Sequence, residues 1–133
     1  MKKYILLLLS VVTFTACLND DGPEYSYEIL EVKEATVPDS FTFGEDGEIT
    51  ITYDLPSACY SFHSLYYEYQ DTARIVAVNA LKREINSCSE ALIEKEHTFL
   101  VNVTQQEDYV FKFWKGTDAD GNNIFEEKVV PVN

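Results

Sequence analysis

The amino-acid sequence predicts an all-β domain, an antiparallel sandwich of two sheets with seven to eight short strands. From residue 25 onward, apolar and polar residues alternate with a period of two, the period of a strand with one buried face. Turn residues interrupt this alternation about every ten residues, and no long segment has the 3.6-residue period of a helix. Such a series is typical of sandwiches, and a single-sheet barrel is the main alternative.

The first strands are predicted before residue 56. Residues 25–29 alternate as a strand, and the same pattern returns briefly at 40–43. Gly-Glu-Asp-Gly at 44–47 is typical of a turn. Strict alternation over 49–55 then predicts a half-buried strand, which Pro56 ends.

The middle of the chain contains three further predicted strands. Residues 60–69 carry aromatic side chains at even and odd positions, so we expect both faces of this strand to be covered near its middle. A β-branched run predicts a strand at 74–78. Residues 87–90 have capping-box spacing and would allow one helical turn. However, apolar residues of one parity between 93 and 103 favour a strand there.

The last two strands are predicted at 109–114 and 124–132, with a loop at 116–123. In the first of them Tyr, Phe and Phe alternate with Val, Lys and Trp. Because Lys112 is hard to bury unpaired, the Tyr-Phe-Phe face should belong to the core and Trp114 to the surface. The whole series indicates a sandwich that is immunoglobulin-like in outline.

The N-terminus has the pattern of an export signal and not of a folded element. Lys2 and Lys3 precede an apolar run that ends in Thr-Ala-Cys17. As a helix this run would be about 16 Å long, too short for a bilayer core of about 30 Å. Cys17 resembles the acceptor of a bacterial lipobox, whose thiol is acylated after cleavage just before it. The expected parts are therefore a signal peptide (1–16), a lipidated Cys and acidic tether (17–24) and a sandwich domain (25–133).

The charge of the chain excludes some partners. Loss of Lys2 and Lys3 with the signal peptide leaves eight of the ten basic residues against 23 acidic ones, a formal charge of −15. Such a field repels nucleic-acid phosphates and anionic lipid headgroups. We therefore expect no nucleic-acid partner, and membrane association only through the lipid on Cys17.

The cysteine count predicts one disulfide. With Cys17 assigned to the lipid, Cys59 and Cys88 remain as a pair, and export exposes them to oxidising conditions. Closing a loop of about 30 residues would stabilise the domain by about 3–4 kcal/mol. Two buried free thiols are the alternative. The positions of the pair do not match the inter-sheet disulfide of antibody domains.

Several segments together resemble a group of small outer-membrane lipoproteins of Bacteroidota with immunoglobulin-like domains. They are the signal with its Cys17, the Asn-Asp-Asp that follows, residues 55–62, Cys88 and residues 109–116. The resemblance implies an outer-membrane location. Asp20 and Asp21 resemble an export tag for the outward-facing side of that membrane. The group has no assigned activity, so the resemblance implies no mechanism.

A metal site has one weak candidate in the sequence. Asp118, Asp120 and Asn122 present oxygen atoms at alternate positions, as calcium loops do. In an EF-hand the glycine is sixth, whereas Gly121 here is fourth. Asp-Gly and Asn also supply the positive φ of a hairpin loop, and we favour that interpretation.

Zinc binding and nucleophilic catalysis have weaker support. His63 and His97 form a formal ligand set with Cys59 and Cys88. In a strand, however, Cys59 and His63 would be about 13 Å apart, and a disulfide would consume both sulfurs. The serines near His63 lie in no Gly-x-Ser-x-Gly turn. We therefore predict no catalytic residues, no cofactor and no enzymatic activity.

Aromatic residues are the best candidates for a binding surface. Tyr66, Tyr67, Tyr69 and Trp114 would suit protein or glycan recognition if they are exposed together, and Tyr60 lies nearby. The alternative is that they fill the core and form cross-strand pairs.

The expected function is that of a lipid-anchored, non-enzymatic binding or accessory module at the outer membrane. A spacer protein without a ligand is one alternative. An inhibitor of exported hydrolases is another, and it would use residues 83–90 beside Cys88 as a protruding loop.

Overall fold

The computed structural model describes residues 22–133, which form eight β-strands in two sheets. The predicted all-β, two-sheet sandwich is confirmed, and within the described residues no helix could cross a membrane. The signal peptide, Cys17 and the Asp pair at 20–21 lie outside this range. The strands are β1 (Glu24–Leu30), β2 (Glu34–Thr36), β3 (Asp46–Leu55), β4 (Tyr60–Gln70), β5 (Ala73–Glu84), β6 (Ile93–Asn102), β7 (Tyr109–Thr117) and β8 (Asn123–Val130).

Strand β5 is the centre of the five-stranded sheet. On one edge it pairs with β4 over residues 73–82. On the other edge β7 pairs with residues 73–76 and β1 with residues 78–84. Strand β8 continues the sheet beyond β7, while β2, β3 and β6 form the second sheet. The β5–β7 pair is parallel, unlike the antiparallel pairing that we expected, because the chain passes through β6 of the other sheet between them.

The core lies between the two sheets. The apolar residues of β3 are buried at alternate positions, as the sequence predicted. The prediction that the Tyr-Phe-Phe face of β7 is core is also confirmed, since Tyr109, Phe111 and Phe113 are all buried. Phe41 packs edge-on against Tyr109 and Phe111, with ring centroids 5.3 and 6.0 Å away. A Cβ at Gly47 would overlap the Phe41 ring, so this close packing requires glycine.

Two local expectations were wrong. Residues 40–43 form no strand. Phe41 makes only an isolated bridge to Val132, and its ring enters the core from a loop. Strand β4 is not covered on both faces, since Tyr66 is exposed on the side of the sheet that faces away from the core. By contrast, the strand that the sequence favoured over a helical turn after residue 90 is confirmed, since β6 begins at Ile93.

The two cysteines of the domain lie at disulfide distance. Cys59 precedes β4 and Cys88 lies between β5 and β6, with their Cα atoms 5.6 Å apart. A backbone hydrogen bond from Ala58 to the carbonyl of Ser89 joins the same two segments. The pair therefore ties the exposed β5–β6 connection to the start of β4.

Candidate binding surface

Exposed apolar side chains concentrate on one face of the five-stranded sheet, the face that points away from the three-stranded sheet and is here called the outer face. Alternation along β5 creates this face, because residues 76, 78 and 80 enter the core while 75, 77 and 79 point outward. The pairing registers place large residues of the neighbouring strands beside them. These residues are Tyr25, Tyr27 and Ile29 of β1, Tyr66 of β4, Trp114 of β7, and Phe125 and Val129 of β8.

A groove of about 370 Å³ opens in the middle of the outer face. This outer-face groove is lined mainly by Ile29, Tyr66, Ile75, Ala77, Trp114 and Phe125. It lies where β7 stops pairing with β5 and β1 starts, at residue 77 of the central strand. Because Ala77 has only a methyl side chain, the larger neighbouring residues rise above it and leave a depression.

Hydrogen bonds fix the aromatic walls of the outer-face groove. The indole Nε1 of Trp114 donates to Asn123 Oδ1 at 3.0 Å. The hydroxyl of Tyr66 donates to the carboxylate of Glu68, and this bond raises the pKa of the phenol. Both rings are therefore held at one orientation before any ligand arrives, which lowers the entropy cost of binding.

Polar groups border the outer-face groove without filling it. Glu68 and Asn123 belong to its lining and offer oxygen atoms as hydrogen-bond acceptors. Nearby, Lys112 donates to the side-chain oxygen of Gln70 at 2.9 Å and lies 3.9 Å from the carboxylate of Glu127. The groove thus combines flat aromatic walls with a few hydrogen-bonding groups, the usual composition of a small-ligand site.

The four aromatic residues proposed from the sequence do not form one platform. Tyr66 and Trp114 line the outer-face groove together. Tyr67 and Tyr69 have the opposite parity on β4 and line a different pocket, between the sheets. Tyr60 donates its hydroxyl to Glu28, which raises its pKa to about 12.

Sequence reasoning missed the three other large apolar residues of the outer-face groove, which are Ile29, Ile75 and Phe125. Their alternation with neighbours marks the strands but does not indicate which face is solvated. A sequence signal did exist in β1, where two tyrosines and Ile29 share one parity while no charged residue interrupts that face. The same pattern is equally typical of a core face.

The loop at 118–122 has the geometry of a hairpin turn. Asp118 Oδ1 accepts the backbone amides of Asp120 and Asn122, both at 2.9 Å, and these bonds lower the pKa of the carboxyl. Gly121 has a φ of 82°, which favours glycine. Between residues 22 and 133, no group of three or more His, Cys, Asp or Glu side chains is arranged to hold a metal ion.

The histidines and serines are dispersed. His63 is the extra residue of a bulge in β4, and its ring meets that of Tyr27 edge-on at 4.9 Å. His97 stacks on Phe62 at 4.4 Å, on the core side of the sheet. Ser64 accepts a hydrogen bond from the amide of Asn79. The structure thus does not bring the two histidines together.

Comparison of this chain with protein-family models, with curated proteins and with solved structures found no match. Its function is therefore inferred from the residues of the chain itself.

Proposed function

We propose that this protein is a lipid-anchored, non-enzymatic lipoprotein on the outward face of the outer membrane, and that it binds a neutral glycan in the outer-face groove. The anchor follows from the signal pattern that ends at Cys17. Strand β1 begins at Glu24, seven residues after Cys17. A tether of that length reaches at most about 25 Å, so the domain would stay close to the membrane surface.

The outer-face groove is the observation that carries the binding function. Tyr27 and Tyr66 expose 65% and 39% of their surface on the same face, and contiguous exposed apolar patches commonly mark binding sites. The rings of Tyr66 and Trp114 are already held by hydrogen bonds. Sugar rings have apolar C–H faces that pack on aromatic rings and hydroxyls that hydrogen-bond to groups such as Glu68 and Asn123.

Charge and size favour a neutral glycan over the other ligands considered. The formal charge of −15 after loss of the signal disfavours acidic polysaccharides. A groove of about 370 Å³ falls within the range of about 300–1,000 Å³ that is usual for small-ligand sites. A protein partner would instead need about 800 Å² of contact on this side, which is more than the groove itself offers.

Affinity electrophoresis of the full chain in gels that contain neutral polysaccharides tests this function. A starch, a xylan, a mannan and a mixed-linkage glucan would each be used, and we expect at least one to retard the wild-type protein. Trp114→Ala and Tyr66→Ala should abolish the retardation. Phe43→Ala is the matched control, because Phe43 is an exposed aromatic residue in the loop before β3 and not part of the groove.

Circular dichroism would first establish that the variants are folded. Retardation by a polysaccharide that persists in both groove variants would place glycan binding elsewhere on the molecule. If no neutral polysaccharide retards the wild type, the glycan proposal is wrong and the spacer function becomes the better explanation.

A further inference from the structure

We propose a second ligand site between the sheets, where Arg74 would bind the carboxylate of a small molecule that has an apolar body. A pocket of about 410 Å³ opens there between β4 and β6. Its lining includes Arg74, Tyr67, Tyr69, Phe99, Asn102 and Tyr109. It is separate from the outer-face groove, since it lies on the core side of the five-stranded sheet.

Arg74 is the one charged side chain that is buried within residues 22–133, with 5% of its surface exposed. Its guanidinium carbon lies 4.3 Å from the ring centroid of Tyr69 and 5.1 Å from that of Tyr109. The two rings hold the planar guanidinium by cation–π contacts and restrict its orientation. The position of the charge is therefore fixed by packing.

The hydrogen-bond partners of Arg74 are all neutral. Its Nη1 donates to the carbonyl oxygens of Asp71 and Ala73, and its Nη2 donates to Gln105 Oε1 at 2.9 Å. These bonds use three of the five N–H donors of a guanidinium. No carboxylate of the described chain lies within 4 Å of it, although the chain has more than twice as many acidic as basic residues.

The backbone around Arg74 provides neutral hydrogen-bond acceptors for its guanidinium. Asp71 adopts a φ of 53°, and this turn directs its carbonyl to the guanidinium while its side chain is exposed. Gln105 is held by three carbonyl oxygens that accept from its Nε2, so its own oxygen must face Arg74. Buried charges in proteins are normally paired with an opposite charge. An anion that enters the pocket would supply the opposite charge that Arg74 lacks.

The chemistry of the pocket favours a carboxylate. A planar carboxylate matches the guanidinium fork and carries one negative charge, whereas a phosphate dianion would face the negative field of this chain. The phenol of Tyr67 is a second donor, because burial raises its pKa to about 12, despite the opposing effect of Arg74, and keeps it protonated at neutral pH. Leu65 and Phe99, also in the lining, provide the apolar wall for the body of the ligand.

Nuclear magnetic resonance titration of the ¹⁵N-labelled full chain tests the site with benzoate, benzamide and inorganic phosphate. We expect benzoate to shift the amide signals around Arg74, Tyr67 and Asn102 and to bind at least about tenfold more tightly than benzamide, because charge-assisted hydrogen bonds are about twice as strong as neutral ones. Equal binding of benzamide, shifts that map elsewhere, or no shifts would each overturn the proposal. Tighter binding of phosphate would exclude the carboxylate assignment.

Substitutions then distinguish the effect of the Arg74 charge on binding from an effect on folding. Arg74→Gln should abolish benzoate binding, and retained binding in the folded variant would refute the site. If that variant does not fold, Tyr67→Phe removes only the hydroxyl donor and should weaken benzoate binding severalfold. Tyr60→Phe is the matched control on the same strand, outside the pocket lining, and should bind benzoate as the wild type does. Unchanged binding by Tyr67→Phe would exclude the proposed role of the phenol and leave the site without its second donor.

Discussion

Truncation of Phe111 should destabilise the domain severely. Its side chain is 0% exposed, and its ring centroid lies 5.8 Å from that of Tyr109, 6.1 Å from that of Phe113 and 6.0 Å from that of Phe41. Phe→Ala in a core costs about 3–5 kcal/mol, and the loss of three aromatic contacts favours the upper half of that range. Most single domains are stable by about 5–15 kcal/mol, so the variant would lose much of its stability.

The expected effect can be measured as a thermal shift. An unfolding entropy of about 2.1 cal/mol/K per residue, over a domain of roughly 110 residues, converts 3–5 kcal/mol into a fall in Tm of about 13–22 °C. Melting followed by circular dichroism at one protein concentration would give this value for Phe111→Ala. The matched variant is Trp114→Ala, three residues further along the same strand but on the outer face.

Trp114 should matter less to stability than Phe111. Its side chain is only half-buried, and its indole nitrogen loses one hydrogen bond, to Asn123. We expect Trp114→Ala to cost about 1–2 kcal/mol, since partial burial contributes only part of the transfer free energy. A larger fall in Tm for Trp114→Ala than for Phe111→Ala would refute the assignment of inner and outer faces and the outer-face groove with it.

Three further predictions concern the anchor, the disulfide and a tyrosine. Cys17→Ser should release the protein from the membrane fraction, and a variant that resists a carbonate wash would show that the anchor is something else. Mass spectrometry of non-reduced peptides should find Cys59 linked to Cys88, and replacing both by Ser should lower stability by about 3–4 kcal/mol; two free thiols in the native protein would contradict this. Glu28→Gln should lower the pKa of Tyr60 from about 12 in an ultraviolet titration, because the hydrogen bond to Glu28 is its main cause. The pKa of Tyr60 is higher in the folded than in the unfolded protein, so the hydrogen bond stabilises the fold fully below a pH of about 10 and loses this effect as the pH rises toward 12. An unchanged titration curve for Glu28→Gln would exclude the hydrogen bond as the cause of the raised pKa.

The sequence predicted the fold class because period-two alternation is a local property. It assigned the faces of β7 correctly, since Lys112 marks one face as solvated. In β1 the charged residues are misleading, because Glu24 and Glu28 share the parity of the buried Leu30, and β4 has Glu68 as its one charged residue. Tyr66 and Tyr67 are adjacent aromatic residues, and only the packing of the second sheet decides which of them enters the interior.

The two proposed sites were harder to predict, because both depend on contacts between distant segments. The outer-face groove requires β7 and β1 to pair with the same edge of β5. The β5–β7 pair is parallel, and no local sequence pattern indicates it. Arg74 begins a β-branched run and resembles an ordinary solvated strand end in the sequence. It is buried because Tyr69, Tyr109 and Gln105, which come from other segments of the chain, pack against its guanidinium.

Strand β5 contributes to both sites from opposite faces, so the two sites should bind their ligands independently. Arg74 lies on the core side, whereas Ile75 and Ala77 line the outer-face groove. Substitutions without shared contacts usually have additive effects, so Trp114→Ala should leave benzoate binding unchanged and Arg74→Gln should leave glycan binding unchanged. If each variant instead weakened both ligands while remaining folded, the two sites would be coupled through a displacement of β5 itself, because that strand is the element common to both.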